Sequence, residues 1–304
     1  MLVSLAIAAI AFVALTRALK GIDLDHVALA LQQTPPLSVA LAASFTAVSY
    51  LSLTLYDFLA LRMIGRADIP YRIAALASFT SYPIAHGTGA VLPVSTAIRY
   101  RVYAPHGIGP GDVARICFLT GLTFWLGNLI ALGLGVAWAP EAISQIDQVA
   151  PEINRMLAVA LLVAVAGFVA WSWTARRRLG GRRWSVPFPS GRAMFMQIGI
   201  GIVDLGAAVL AMYVLIPAGL EIGIARVAVV LIAATLLGFA SHAPAGIGVF
   251  DAIVLVGLGV EHKEPLLAVL LLFRLLYHLL PFVLALTLFA VLETCRGMAA
   301  RRLS

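Results

Sequence analysis

Ser241-His242-Ala243-Pro244-Ala245-Gly246-Ile247-Gly248 interrupts an apolar stretch that runs from 226 to 259. The whole stretch is longer than the roughly 20 residues that carry a helix across a bilayer. Its middle cannot continue as a helix. Proline lacks an N–H and clashes with the preceding turn, and the two glycines weaken the helix beyond it. The stretch therefore predicts two half-helices.

The flanking charges say where these half-helices lie. The 175–192 loop holds Arg176, Arg177, Arg178, Arg182, Arg183 and Arg192, and the C-terminal tail holds Arg296, Arg301 and Arg302. Short basic loops stay on the cytoplasmic side. The 139–154 loop has acids and no Lys or Arg, and 218–225 has only Glu221, so both face out. Segment 193–217 then leaves the cytoplasm, and 265–292 returns to it. The stretch 226–259 must start and end outside, which makes it a re-entrant hairpin. Segment 73–98 repeats the logic from the other side. Arg62, Arg66 and Arg72 precede it, Arg99, Arg101 and Arg115 follow it, and Pro83, Gly87 and Gly89 interrupt it, with Pro93 beyond.

The two stretches also match in detail. Phe79-Thr80-Ser81-Tyr82-Pro83 parallels Phe239-Ala240-Ser241-His242-Ala243-Pro244, and Gly-x-Gly follows each (Gly87 and Gly89; Gly246 and Gly248). The expectation is an all-α, polytopic integral membrane protein. It has one transmembrane domain over 1–304, with about six full spans and two re-entrant hairpins. An internal repeat of 1–138 and 156–292 is inverted in its second half. Paired, interrupted segments of this kind point to a transporter's binding site. Arg17 and Lys20 sit on the outer side of this arrangement, against the charge rule. About eight plain spans are the alternative.

Composition agrees. Of 304 residues, 62% are hydrophobic and 12% charged, with mean hydropathy +1.00. Soluble domains carry about 45–50% apolar and about 25% charged residues. The net charge of +7 sits in loops between apolar runs, where it orients the chain. No basic and aromatic surface is available for nucleic acid. Segment 1–19 lacks a basic start and reads as the first span, not as a cleaved signal. Cys117 and Cys295 form no disulfide framework. No nucleophile-and-base set, Walker loop or dinucleotide fingerprint is present, so no enzyme and no cofactor is expected. His86 and His242 lack partners at ligand spacing, so no metal is expected.

Ionisable groups inside spans are costly and mark pathways or locks. Asp204 lies mid-way along 193–217 and Arg274 mid-way along 265–292, with Tyr277 and His278 three and four residues on, on one helix face. An Asp204–Arg274 pair is expected, either as a helix lock or as a site for an anionic group. Arg99 and Arg101 are loop charges or a phosphate dock. Asp251 caps a helix or receives a cation. Asp57 has Arg62 nearby as a local partner. Asn128 suits an interhelical hydrogen bond. Trp125, Trp138, Trp171 and Trp173 suit the interfacial belts.

Three stretches carry a family resemblance. They are Thr96-Ala97-Ile98-Arg99-Tyr100-Arg101-Val102-Tyr103, Ala245-Gly246-Ile247-Gly248-Val249-Phe250-Asp251 and Phe273-Arg274-Leu275-Leu276-Tyr277-His278-Leu279-Leu280-Pro281-Phe282. Together they resemble the lysylphosphatidylglycerol synthase/flippase family, the multiple-peptide-resistance factors. Tyr56-Asp57 and the Asp204 helix look like the same pattern. Where the family often has Glu after Gly-Val-Phe, this chain has Asp251. The resemblance implies the translocating half without the aminoacyl-transferase domain. The implied function is a phospholipid translocase for an anionic or aminoacylated phosphatidylglycerol-type lipid in a bacterial inner membrane, with both termini cytoplasmic. Membrane phospholipid is the expected partner, with a separate aminoacyl-lipid synthase and a second copy of the chain as further candidates. A secondary transporter of a small polar solute, or a non-transporting partner of a lipid-modifying enzyme, would use the same architecture.

Overall fold

The computed structural model describes residues 23–174, 178–181, 184–187, 191–259 and 263–303. The expected span 1–19 lies outside these residues, as do Arg176, Arg177, Arg182 and Arg183 of the arginine-rich loop. The chain runs through α1 (Leu24–Gln33), α2 (Pro36–Met63), α3 (Tyr71–Thr88), α4 (Val91–Tyr103), α5 (Pro110–Trp138), α6 (Pro140–Asp147) and α7 (Pro151–Thr174). It continues through α8 (Gly191–Tyr213), α9 (Ile224–Ser241), α10 (Val249–Leu258) and α11 (Lys263–Phe273). A π-turn (Arg274–Leu279) then leads into α12 (Leu280–Leu303). A two-stranded antiparallel hairpin, β1 (Arg178–Gly181) with β2 (Trp184–Pro187), lies in the 175–192 loop, and every other regular element among the described residues is helical.

Proline starts many of these helices. Pro36, Pro110, Pro140 and Pro151 each occupy the first position, where a missing N–H breaks no intrahelical bond. Six helical segments among the described residues are long and apolar enough to cross a membrane: Pro36–Met63, Pro110–Trp138, Pro151–Trp173, Gly191–Tyr213, Ile224–Ser241 and Lys263–Arg296. Their burial is uneven. Half of the α5 window is buried, against 17% for α7 and 11% for the α11–α12 helix. The last two therefore lie outermost, with apolar side chains such as Met156, Leu157 and Val163 turned outward. Leu24–Gln33 precedes the first of these six segments. It is a helix because Asp23 caps it, accepting the Asp25 N–H at 2.9 Å, and Val27 is buried.

Two apolar clusters hold the bundle. One gathers Leu61 of α2, Ala77 of α3, Val102 of α4 and Ile116 of α5. The other gathers Met212 of α8, Val230 of α9, Leu255 of α10 and Leu270 of α11. Helices α2 and α8 pack along one another. Gly127 of α5 and Gly201 of α8 face each other so closely that a Cβ on Gly127 would lie 3.6 Å from the Gly201 Cα. Small residues let helices approach in this way where lipid gives no hydrophobic drive. At one end, Arg66 grips Asp68 at 3.0 Å and donates to the carbonyls of His106 and Gly107, both at 2.9 Å. These contacts tie the α2–α3 loop to the α4–α5 turn. They also hold the Asp68 carboxyl below its ordinary range.

Candidate functional site

Helices α3 and α4 pack on each other across a break at Gly89, and α9 and α10 do the same across 242–248. The two breaks touch. Gly89 has φ +73, and a Cβ there would sit 2.7 Å from the His242 carbonyl oxygen and 3.0 Å from the Pro244 nitrogen. Only glycine supplies both the left-handed backbone and the clearance. Beside this contact the His86 ring stacks on Phe239, with centroids 4.8 Å apart.

The second break falls where Pro244, Gly246 and Gly248 placed it. His242, Ala245, Gly246 and Gly248 all have positive φ. The first break falls later than expected. Pro83 lies inside α3 and Gly87 near its end. Gly87 serves packing instead, since a Cβ there would overlap the Phe282 ring of α12.

Each break is braced by an ion pair. Arg99 of α4 donates from Nε and Nη2 to the Asp57 carboxylate of α2, both at 2.9 Å, and the Tyr103 hydroxyl donates to the same group at 3.0 Å. The Arg99 guanidinium also lies 4.9 Å from the Tyr82 ring centroid. Asp57 and Arg99 are 0% and 2% exposed. The expected Asp57–Arg62 pair does not form. Residues five apart on a helix point about 140° apart, outside the i, i+3, i+4 stripe. Arg62 instead lies over the Phe58 ring at 4.2 Å. Nor do Arg99 and Arg101 make one dock. Two residues apart they face opposite sides, and Arg101, exposed, meets Glu293 of α12 at 2.6 Å.

The second brace overturns the expected Asp204–Arg274 pair. Arg274 donates to the Asp251 carboxylate at 2.8 and 2.9 Å and to the Ala245 carbonyl at 2.7 Å. Asp251 also accepts the Gly248 N–H at 2.9 Å, capping α10. The reason lies in the π-turn. It carries nearly one extra residue per turn, which turns Tyr277 away from Arg274 while Arg274 and His278 both stay against the Phe250 ring. Arg274 faces the break. Tyr277 meets Ser49 of α2 at 2.8 Å, and His278 sits against the Phe250 and Phe273 rings, each at 5.7 Å. Pro281 removes the N–H that would bond the Tyr277 carbonyl. The Tyr50 hydroxyl donates to that carbonyl at 3.0 Å instead.

Asp204 is 4% exposed and accepts the Ser49 hydroxyl proton. Asn128 donates to the Phe124 carbonyl of its own helix at 2.9 Å, so the expected interhelical bond is not made by its amide nitrogen. Sequence reasoning missed Ser49, Tyr50, Tyr103 and Glu293. The spacing of Tyr103 four residues after Arg99 was a readable signal for one of them. Among the described residues no group of three His, Cys, Asp or Glu could hold a metal.

Two cavities flank the meeting breaks. The larger, about 590 Å³, is lined by Leu92, Ser95, Arg99, Thr120 and Trp125. The smaller, about 100 Å³, is lined by Tyr50, Asp204, Phe273, Tyr277 and His278. Tyr82, His86, Phe124 and Phe239 border both, so the His86–Phe239 stack forms part of the wall between them.

Six helices among the described residues, each long and apolar enough to cross a membrane, gather around buried polar clusters, as in a multi-pass membrane protein. No protein-family model matches the chain. It is similar to the inner membrane protein YbhN of Escherichia coli, 28% identical over 282 residues that cover 90% of this chain and 86% of that protein. It is also similar to the uncharacterized protein slr0712 of Synechocystis, 25% identical over 235 residues, 77% of this chain and 73% of the relative.

Proposed function

We propose that the protein is a phospholipid translocase of the inner membrane, moving an anionic or aminoacylated phosphatidylglycerol-type lipid between leaflets. In this reading α3–α4 and α9–α10 are re-entrant hairpins of an inverted repeat, entering from opposite faces, and both termini are cytoplasmic. The matching order of helices around the two apolar clusters supports the repeat.

One observation carries the lipid assignment. The cavity of about 590 Å³ is amphipathic, with outward-exposed Leu92 and Trp125 at its wall and Ser95, Arg99 and Thr120 within. Its volume lies in the range of small-molecule sites, roughly 300–1,000 Å³. A head group would take the hydroxyls and the arginine while its acyl chains stay against the apolar wall. Asp57 neutralises Arg99, so recognition rests on hydrogen bonding more than on net charge. A separate aminoacyl-lipid synthase would supply the charged lipid.

The test is a leaflet-exchange assay on the purified protein in liposomes, comparing fluorescent phosphatidylglycerol with its lysyl derivative. Exchange faster than in empty vesicles, lost in Arg274→Ala, is the expected result. No exchange by a correctly folded protein overturns the reading in favour of a solute transporter or a partner subunit.

A further inference from the structure

Three carboxylates lie among the helices near the two breaks, Asp57 and Asp204 buried and Asp251 partly exposed. Two have a guanidinium: Asp57 has Arg99 and Asp251 has Arg274. Asp204 has none within ion-pair distance among the described residues. An ionised carboxylate inside the membrane without a counter-charge is strongly disfavoured. The smallest partner that removes this penalty is a proton on the carboxylate itself.

We infer that Asp204 is a proton-binding site, open to the smaller cavity beside Tyr277 and reached from the other side through a buried polar seam between α2 and α8. The inference rests on the translocase reading only for what the proton drives.

The hydroxyls on the cavity side are polarised. Ser49 has one proton and gives it to Asp204, so the Tyr277 hydroxyl must donate to Ser49. Tyr277 and Asp204 both border the smaller cavity. On the far side, Gln197, Gly201 and Asp204 recur at helical spacing on one face of α8. Ser49 and Tyr56 do the same on α2. The Tyr56 hydroxyl lies against Gly201, where a Cβ would come within 2.6 Å of it. Neither the Tyr56 hydroxyl nor either end of the Gln197 amide makes a hydrogen bond to a described residue, and both side chains are fully buried. The Asn128 carbonyl oxygen, beside the Gly127–Gly201 contact, is also unpartnered. Buried polar atoms nearly always find partners. A row of them at one three-helix junction is the environment in which bridging water carries protons.

A proton suits the site better than a metal cation. Hard cations take about six or more oxygens, and the hydroxyl that meets this carboxylate, Ser49, already directs its proton toward it. The titratable groups facing Asp204 are Tyr50 and Tyr56 of α2 and Tyr277 of the π-turn. His278, His86 and Tyr82 share the cavity wall. The Arg274–Asp251 pair is neutral as a unit and faces the break. Proton uptake turns the carboxylate into a carboxylic acid. Its O–H can then donate back to Ser49, reversing the Tyr277–Ser49–Asp204 row.

Infrared difference spectra between acidic and alkaline buffer, taken on the full chain in liposomes, test the site. The protonated-carboxyl C=O band of the wild type is expected to lose one component in Asp204→Asn and to keep it, shifted, in Asp204→Glu, which guards against a misfolded variant. Gln197→Leu should keep the band but slow its rise after a pH jump by about tenfold, a barrier of about 1.36 kcal/mol. An imposed pH gradient should accelerate lipid exchange in the wild type and not in Asp204→Asn. The band without lipid exchange leaves the proton site standing and sinks the translocase. Lipid exchange with a band unchanged in Asp204→Asn overturns the proton site alone, as does a response of these residues to sodium with none to pH.

Discussion

At the first break the returning helix carries the cation and a neighbour the carboxylate: Arg99 of α4 meets Asp57 of α2. At the second the signs are exchanged, and Asp251 of α10 meets Arg274 at the head of the π-turn. The surroundings differ as well. The first pair is sealed, with side chains 3% and 0% exposed, and its arginine bonds only the carboxylate among the contacts that brace it. The second is 16% exposed on each side, and its arginine also holds a carbonyl of the break itself. Backbone follows the same contrast. One glycine makes the first turn, whereas four residues of the second have positive φ, two of them not glycine. The first break is thus fixed by burial of charge. The second is a strained loop pinned by one accessible side chain, which suits it to be the part that moves.

The largest effect should come from opening the sealed pair. Asp57→Ala strands Arg99 in the interior and should lower unfolding stability by about 3–5 kcal/mol, read as the thermal midpoint in detergent. Pairing that change with Arg99→Leu should recover most of the loss, because removing both charges of a buried pair is close to neutral. Arg274→Ala should cost less, about 1.5–3 kcal/mol for charged hydrogen bonds, while sharply raising labelling of a cysteine placed at Ala243. Equal losses from the two single variants would erase the contrast. Gly89→Ala should cost about 1–2 kcal/mol from its left-handed backbone alone, more once the clash with His242 is added. Ala245→Gly, at φ +51, should go the other way and stabilise by up to about 1 kcal/mol. The smallest effect belongs to Asp68, outside both breaks. Arg66 lowers its pKa, so its stabilisation is present above the ordinary carboxylate pKa and disappears as pH falls through the lowered value. Arg66→Ala should flatten that acid limb by lowering stability at neutral pH, with a smaller pH-independent loss from its bonds to the His106 and Gly107 carbonyls.

The spans and the second break were legible because lipid demands long apolar runs, and proline with glycine interrupts them. The first break was placed too early, since Pro83 is accommodated inside α3 and the left-handed residue is Gly89. Partners were the hardest to read. Hydropathy gives the length of a helix but not the direction its polar residues face. Asp57 could be assigned to Arg99 only by knowing how α2 and α4 are rotated. Arg274 was misassigned because a regular helix was assumed through 265–292, although Pro281, four residues after Tyr277, was a written sign that the ladder is broken there.

The π-turn at Arg274–Leu279 has a mechanical side. It stores one surplus residue in an otherwise regular helix, as a dislocation is stored in a crystal. Such a defect can glide one step at a time while the rods on either side keep their places. Each side chain it passes is swung by about 100°, one residue's worth of helical rotation. Arg274, Tyr277 and His278 all lie on its track. With the Tyr50 hydroxyl holding the carbonyl that Pro281 leaves open, the defect has a latch at its present position.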